Sequence, residues 1–160
     1  MTTIAIDDQG FIAADGMRLW GGEIRGLDHP KIIVRVGNIY AFTGLAPMMD
    51  VMIEWHINGA AAKDVPKVDG DDGWTLVVID NDRGEVAKFT SGCPYIERFK
   101  APIAFGAGAD IAYGAMLAGA SARRAIEIVS QVTYHTGGTI TEFEIAKVIA
   151  ARNPQLHAAE

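Results

Sequence analysis

A chain of 160 residues has the length of one domain, and a domain of that size buries roughly 68–70% of the surface its unfolded chain exposes. Apolar residues make up 49% and charged residues 21% of it, which excludes global disorder and supplies one core. The 14 basic residues face 20 acidic ones for a net charge of −6. No basic run follows a phosphate backbone, so nucleic acid is not an expected partner.

The first residues carry neither the basic start nor the apolar block of a secretory signal, and the charge-free stretch 111–122 is too short and too polar to span a bilayer. A cytoplasmic protein without a membrane partner is the expectation. Cys93 is the only cysteine, which excludes an internal disulfide and a cysteine metal site within one chain. His29, His56, His135 and His157 lack ligand spacing, so neither a metal nor a cofactor is expected.

No repeat, low-complexity tract or composition step divides residues 1–160, which read as a single domain. Residues 2–6 and 11–14 are short apolar runs around Asp7-Asp8-Gln9-Gly10 and predict a strand, a turn and a strand. Residues 31–36 and 39–42 flank Gly37-Asn38, a two-residue hairpin connection. Behind Pro47, residues 48–56 predict a helix that ends near Asn58-Gly59. Its Met48, Met49, Met52 and Trp55 place apolar side chains on more than one side, which suits contact with a second copy. Residues 60–73 predict a mobile loop. Residues 74–79 and 85–89 form the next hairpin around residues 81–84, and residues 103–105 add a short strand before Gly106-Ala107-Gly108.

Helices follow. Asp110 is placed to cap one running through Leu117, and Ser121 to cap the next, with Ala125, Ile128, Val129 and Val132 at helical spacing. Arg123 and Arg124 fall in the first turn, against the helix dipole, and are expected to pair outside the helix. Thr136-Gly137-Gly138 ends that helix. Thr141-Glu142-Phe143-Glu144 reads as a capping box opening a third helix through about Ala151, stopped by Asn153-Pro154. Segregated strands and helices predict an α+β fold with helices over the outer faces of antiparallel sheets.

Candidate chemistry sits at the start. Threonine at position 2 is small enough for the initiator methionine to be removed, which leaves a hydroxyl and a free α-amine on Thr2. An α-amine with an ordinary pKa of about 7.7–8.0 accepts a proton near neutrality, so one residue supplies nucleophile and base. Asp15 ends a strand expected to pair with the one that carries Thr2. Lys31 heads the next strand, where an aspartate-bound cation lowers the pKa of its neighbours.

The start Thr2-Thr3-Ile4-Ala5, then Ala13-Ala14-Asp15-Gly16, Lys31, and Phe42-Thr43-Gly44-Leu45-Ala46 resemble the β-type subunits of the proteasome superfamily. The segments around Phe105-Gly106-Ala107-Gly108, Tyr113-Gly114-Ala115, residues 118–122 and Thr136-Gly137-Gly138 follow in the family's order, so the likeness covers most of residues 2–150. The short first hairpin is most similar to minimal proteasome-like proteins of bacteria and phages, with the bacterial ATP-dependent heat-shock peptidase a more distant relative. The resemblance implies an N-terminal nucleophile hydrolase fold, a four-layer αββα sandwich with two antiparallel sheets between helical layers. It implies a threonine-type peptidase in which Thr2 attacks, its amine shuttles the proton, Lys31 held by Asp15 tunes both, and the Gly44 N–H stabilises the oxyanion. It also implies a self-compartmentalised homo-oligomer, peptides or unfolded proteins as substrates bound along residues 18–22, and an ATPase partner.

Three features depart from the family. Ala107 stands where it often has serine, Thr133 stands where it has aspartate three residues before Thr136, and one helix replaces two between Gly44 and Trp74. A retained Met1 would block the amine. The alternatives are a non-catalytic structural or assembly relative and an amidase of the same chemistry acting on a small molecule.

Overall fold

The computed structural model describes residues 1–67, 73–80 and 85–152. In chain order its elements are β1 (Thr3–Ile6), β2 (Phe11–Ala14), β3 (Arg18–Trp20), β4 (Glu23–Gly26), β5 (Ile32–Arg35), β6 (Asn38–Thr43), α1 (Met48–Ile57), β7 (Thr75–Asp80), β8 (Glu85–Thr90), β9 (Cys93–Phe99), β10 (Ile103–Gly106), α2 (Ala109–Leu117), α3 (Ala122–Val132), β11 (Thr141–Glu144) and α4 (Ile145–Arg152). One antiparallel sheet has the order β10-β1-β2-β11 and the other β5-β6-β7-β8-β9, while β3 and β4 form a separate hairpin.

Strand alternation builds the layers. Ile4, Ile6, Ile12 and Ala14 of the first sheet meet Ile32, Ile39, Ala41, Val77 and Ile79 of the second in one buried cluster. The alternate residues of β6 and β7, among them Tyr40, Phe42, Leu76 and Val78, face Met49, Met52 and Ile53 of α1. On the opposite side Ala5 and Ala13 pack against Ala112, Ala122, Ala125, Ile126 and Val129. Alanine at those two strand positions lets α2 and α3 lie close to the sheet. Two sheets between helical layers make the αββα sandwich, and burying each large aliphatic in it stabilises the fold by about 1.5–3 kcal/mol.

Several sequence expectations are corrected by this packing. The β5–β6 turn is Val36-Gly37 rather than Gly37-Asn38, with φ of 52° and 72°. Thr141-Glu142-Phe143-Glu144 is not a capping box; it is β11, paired with β2 through Phe143↔Ile12, and the helix starts only at Ile145. Gly108 rather than Asp110 occupies the N-cap of α2. Ser121 does cap α3, its Oγ accepting from Arg124 N at 3.2 Å. Arg123 and Arg124 pair with Glu127 inside that helix at 3.6 and 2.9 Å, and no partner outside the helix pairs with them among the described residues. The buried face of α3 is Ala122, Ala125, Ile126 and Val129; Ile126 was missed, Ile128 is half-buried, and Val132 is exposed.

On α1, Met49 and Met52 are buried, and Met48 and Trp55 pack partly buried against the same core. These four residues serve the core, while Val51 and Ile57 of the same helix are exposed. Within the expected loop, Ala62–Asp64 forms a 3-10 turn. The acidic run 69–72, the turn 81–84, Asn153-Pro154 and His157 lie outside the described residues. No helix among the described residues is long and apolar enough to cross a membrane.

Candidate active site

The first sheet brings the two ends of the sequence motif together. Ile4 pairs with Ala14 across β1 and β2, so one step further along each strand Thr3 lies opposite Asp15. Thr3 N donates to Asp15 Oδ1 at 2.8 Å and Asp15 N returns a bond to Thr3 O at 3.3 Å. The other carboxylate oxygen accepts from Met17 N at 3.2 Å and Gly137 N at 3.3 Å, and from Lys31 Nζ at 2.8 Å. With the Asp15 side chain 0% exposed and that of Lys31 5% exposed, this is a fully desolvated ion pair. Such a pair persists where its hydrogen bonds are completed, and here both carboxylate oxygens are occupied.

Lys31 Nζ also donates to Met1 O at 3.0 Å, the carbonyl of the peptide bond that joins Met1 to Thr2. The ammonium therefore stands beside the backbone of the candidate nucleophile. Burial lowers the Lys31 pKa from its ordinary range, and Asp15 opposes the shift by charge and hydrogen bond. Burial lowers that of the Met1 terminal amine too, with Lys31 adding to the effect and Asp15 opposing it.

The start of the chain is pinned from the other side. Thr2 is buried, and its carbonyl accepts from Ala107 N at 2.8 Å. Gly106 has φ of 93°, and a Cβ there would fall 2.0 Å from Thr2 O, so this close approach requires glycine. Thr3 Oγ1 lies 2.6 Å from Thr136 Oγ1 and accepts from Gly108 N at 3.1 Å. Thr3 was not singled out by the sequence, and its only signal was a second hydroxyl beside Thr2. Thr136 thus supports Thr3, and Thr133 Oγ1 is buried with no hydrogen-bond partner among the described residues.

Thr2 opens into two adjoining hollows. One, of about 320 Å³, is lined by Leu19, Thr43, Gly44, Gly73, Gly106 and Ala107 along with Met1 and Thr2. The other, of about 60 Å³, lies between Met17–Trp20, His29–Lys31 and the Phe42, Pro47 and Met49 side. Gly44 lines both, at φ of 139°, so the four residues singled out by sequence converge on one cleft: Asp15 and Lys31 beneath it, Thr2 and Gly44 at its wall. Among the described residues no group of three or more His, Cys, Asp and Glu could hold a metal ion.

No protein-family model and no curated protein sequence matches this chain. A solved structure does: Thiobacillus denitrificans BPH in complex with epoxomicin aligns with a TM-score of 0.67 over 89% of this chain and 97% of that one, at 18% identity. The two chains share a fold. The likeness is one of architecture alone, and identity this low carries no residue roles with it.

Proposed function

We propose that the protein is a threonine peptidase whose nucleophile is Thr2 after loss of Met1. The observation that carries this reading is the buried Asp15–Lys31 pair, with Lys31 Nζ 3.0 Å from the carbonyl that precedes Thr2, at the floor of an open cleft. Thr2 Oγ adds to the carbonyl carbon of the scissile peptide bond while its proton passes to the Thr2 amine. The amine returns that proton to the leaving nitrogen as the C–N bond breaks, and an ester on Thr2 remains. Water then hydrolyses the ester, with the same amine as base. The Lys31 ammonium, held 3.0 Å from the carbonyl that precedes Thr2, disfavours a second positive charge beside it and so favours the unprotonated amine that the attack needs. The Gly44 N–H is the oxyanion donor in this scheme.

Replacing Thr2 by alanine tests the reading. Hydrolysis of small peptide reporters should fall to the uncatalysed level, and a Thr2→Ala protein as fast as the parent would end it. The same reading makes the working form a self-compartmentalised homo-oligomer in the cytoplasm, fed with unfolded chains by an ATPase; the particle mass of the purified protein checks the first of these.

A second reading, a non-catalytic relative, draws on Thr136 being engaged by Thr3 and on Thr133 and Ala107 offering the amine no side-chain acid. A protein that keeps Met1 in its assembled state would favour it.

A further inference from the structure

The smaller hollow beside Thr2 has an electrostatic character that the chain as a whole does not. The protein carries a net charge of −6, yet this hollow is lined by Arg18, His29 and Lys31 and by no carboxylate. Lys31 is neutralised from below by Asp15. Arg18 is exposed, and no ion pair to it is present among the described residues. His29 is half-buried, and its backbone is fixed by its N–H to Gly16 O at 2.9 Å. Met17 N is fixed on Asp15 Oδ2, so Arg18 and His29 project from backbone held in the same frame as the Asp15–Lys31 pair. Apart from Thr2, the side chains of the remaining lining, including Met17, Trp20, Phe42 and Met49, are apolar. An apolar slot with an unneutralised cation at its rim fits a side chain with a methylene stem and a carboxylate tip.

We propose that Arg18 and His29 make this hollow a receptor for an anionic side chain, so that the preferred substrates are peptides with glutamate or aspartate beside the cleaved bond. The inference rests on the proposed peptidase reading for its catalytic half only; the anion site itself stands on the lining. His29 reports on it. Burial holds its pKa below the ordinary value, and the charges of Arg18 and Lys31 push the same way. A carboxylate entering between these groups, with Asp15 and the terminal amine the other titratable groups near by, reverses that field. His29 then takes up a proton as the anion binds.

Two measurements separate the halves. In the first, reporters that differ only in Glu, Gln or Leu before the cleaved bond are compared in the parent and in Arg18→Glu. A charge-assisted contact at an exposed arginine predicts that kcat/KM for Glu over Gln exceeds one by about ten-fold in the parent. The preference should invert in Arg18→Glu and shrink with added salt. In the second, the Thr2→Ala protein is titrated with acetylated peptides ending in Glu or in Gln, and the His29 ring is followed by NMR. The Glu peptide should bind about ten-fold more tightly at low salt and raise the His29 pKa, while the Gln peptide leaves it in place. Equal binding of the two peptides, or a His29 titration unmoved by the Glu peptide, overturns the anion site. Glu-selective binding by a protein that cleaves no peptide would leave the anion site standing and remove the peptidase reading instead.

Discussion

Replacing Asp15 by asparagine perturbs the site most severely. Asp15 accepts four hydrogen bonds, from Thr3 N, Met17 N, Gly137 N and Lys31 Nζ. Asparagine keeps the shape but turns one acceptor oxygen into a donor. If the amide nitrogen faces Thr3 N, two donors oppose each other in β1–β2. If it faces Lys31, the ammonium and two backbone N–H groups lose their acceptor. In either orientation Lys31, whose side chain is 5% exposed, remains as a buried cation without its counter-ion. Breaking a buried pair by removal of one partner costs about 3–5 kcal/mol, out of roughly 5–15 kcal/mol for a whole domain. At about 2–4 °C per kcal/mol the melting temperature should fall by about 6–20 °C. Lys31→Met leaves a carboxylate that still holds three backbone N–H donors and should cost less. The double variant should cost less than the sum of the singles, because no unpaired cation remains. Thermal or urea unfolding of all four proteins measures this cycle. Costs below 1 kcal/mol for Asp15→Asn, or strict additivity, would refute the view that the ion pair organises this end of the fold.

Further outcomes follow from other parts of the molecule. Thr3→Val removes the hydroxyl that joins Thr136 Oγ1 to Gly108 N, and should cost about 1–3 kcal/mol in unfolding experiments, with Thr3→Ser close to the parent. Val36 is a β-branched residue at φ of 52° in an exposed two-residue turn; Val36→Asn, suited to that turn, should stabilise by about 0.5–1 kcal/mol and raise the melting temperature by about 1–4 °C. His56 Nδ1 lies 3.1 Å from the buried Tyr40 hydroxyl, and burial lowers the His56 pKa below 6.5, with Asp80 opposing. The unfolded state then binds the proton more readily, so stability should drop as the pH falls from about 6.5 through the folded-state value. Unfolding curves at both ends of that window should show a smaller drop in His56→Gln.

How far the sequence revealed the molecule depended on where each element lies. The strands β1, β2, β5, β6, β7 and β8 carry mostly apolar residues and the helices carry them at helical spacing, which is why these elements were legible. β9 ends its sheet and exposes Tyr95 and Ile96, so its residues carried no burial signal. The β3–β4 hairpin exposes Trp20 and Ile24 for the same reason. β11 was misread because its threonine and glutamate spacing imitates a helix cap, while its true partner β2 lies more than a hundred residues earlier. In the candidate site, Thr2, Asp15 and Lys31 were singled out by residue type alone, and the structure brings Asp15 and Lys31 together beneath Thr2. The pairing of Thr3 with Thr136 was not legible, because two hydroxyls 133 positions apart announce no contact until folding brings them to 2.6 Å.

Intact-mass analysis of the purified protein, paired with peptide-reporter hydrolysis by the same sample, decides whether Thr2 is the nucleophile. The expected result is a chain that begins at Thr2 and hydrolyses the reporter, with no hydrolysis by Thr2→Ala. A protein that hydrolyses peptides while every chain still carries Met1, or one with a free Thr2 that hydrolyses none, would contradict it.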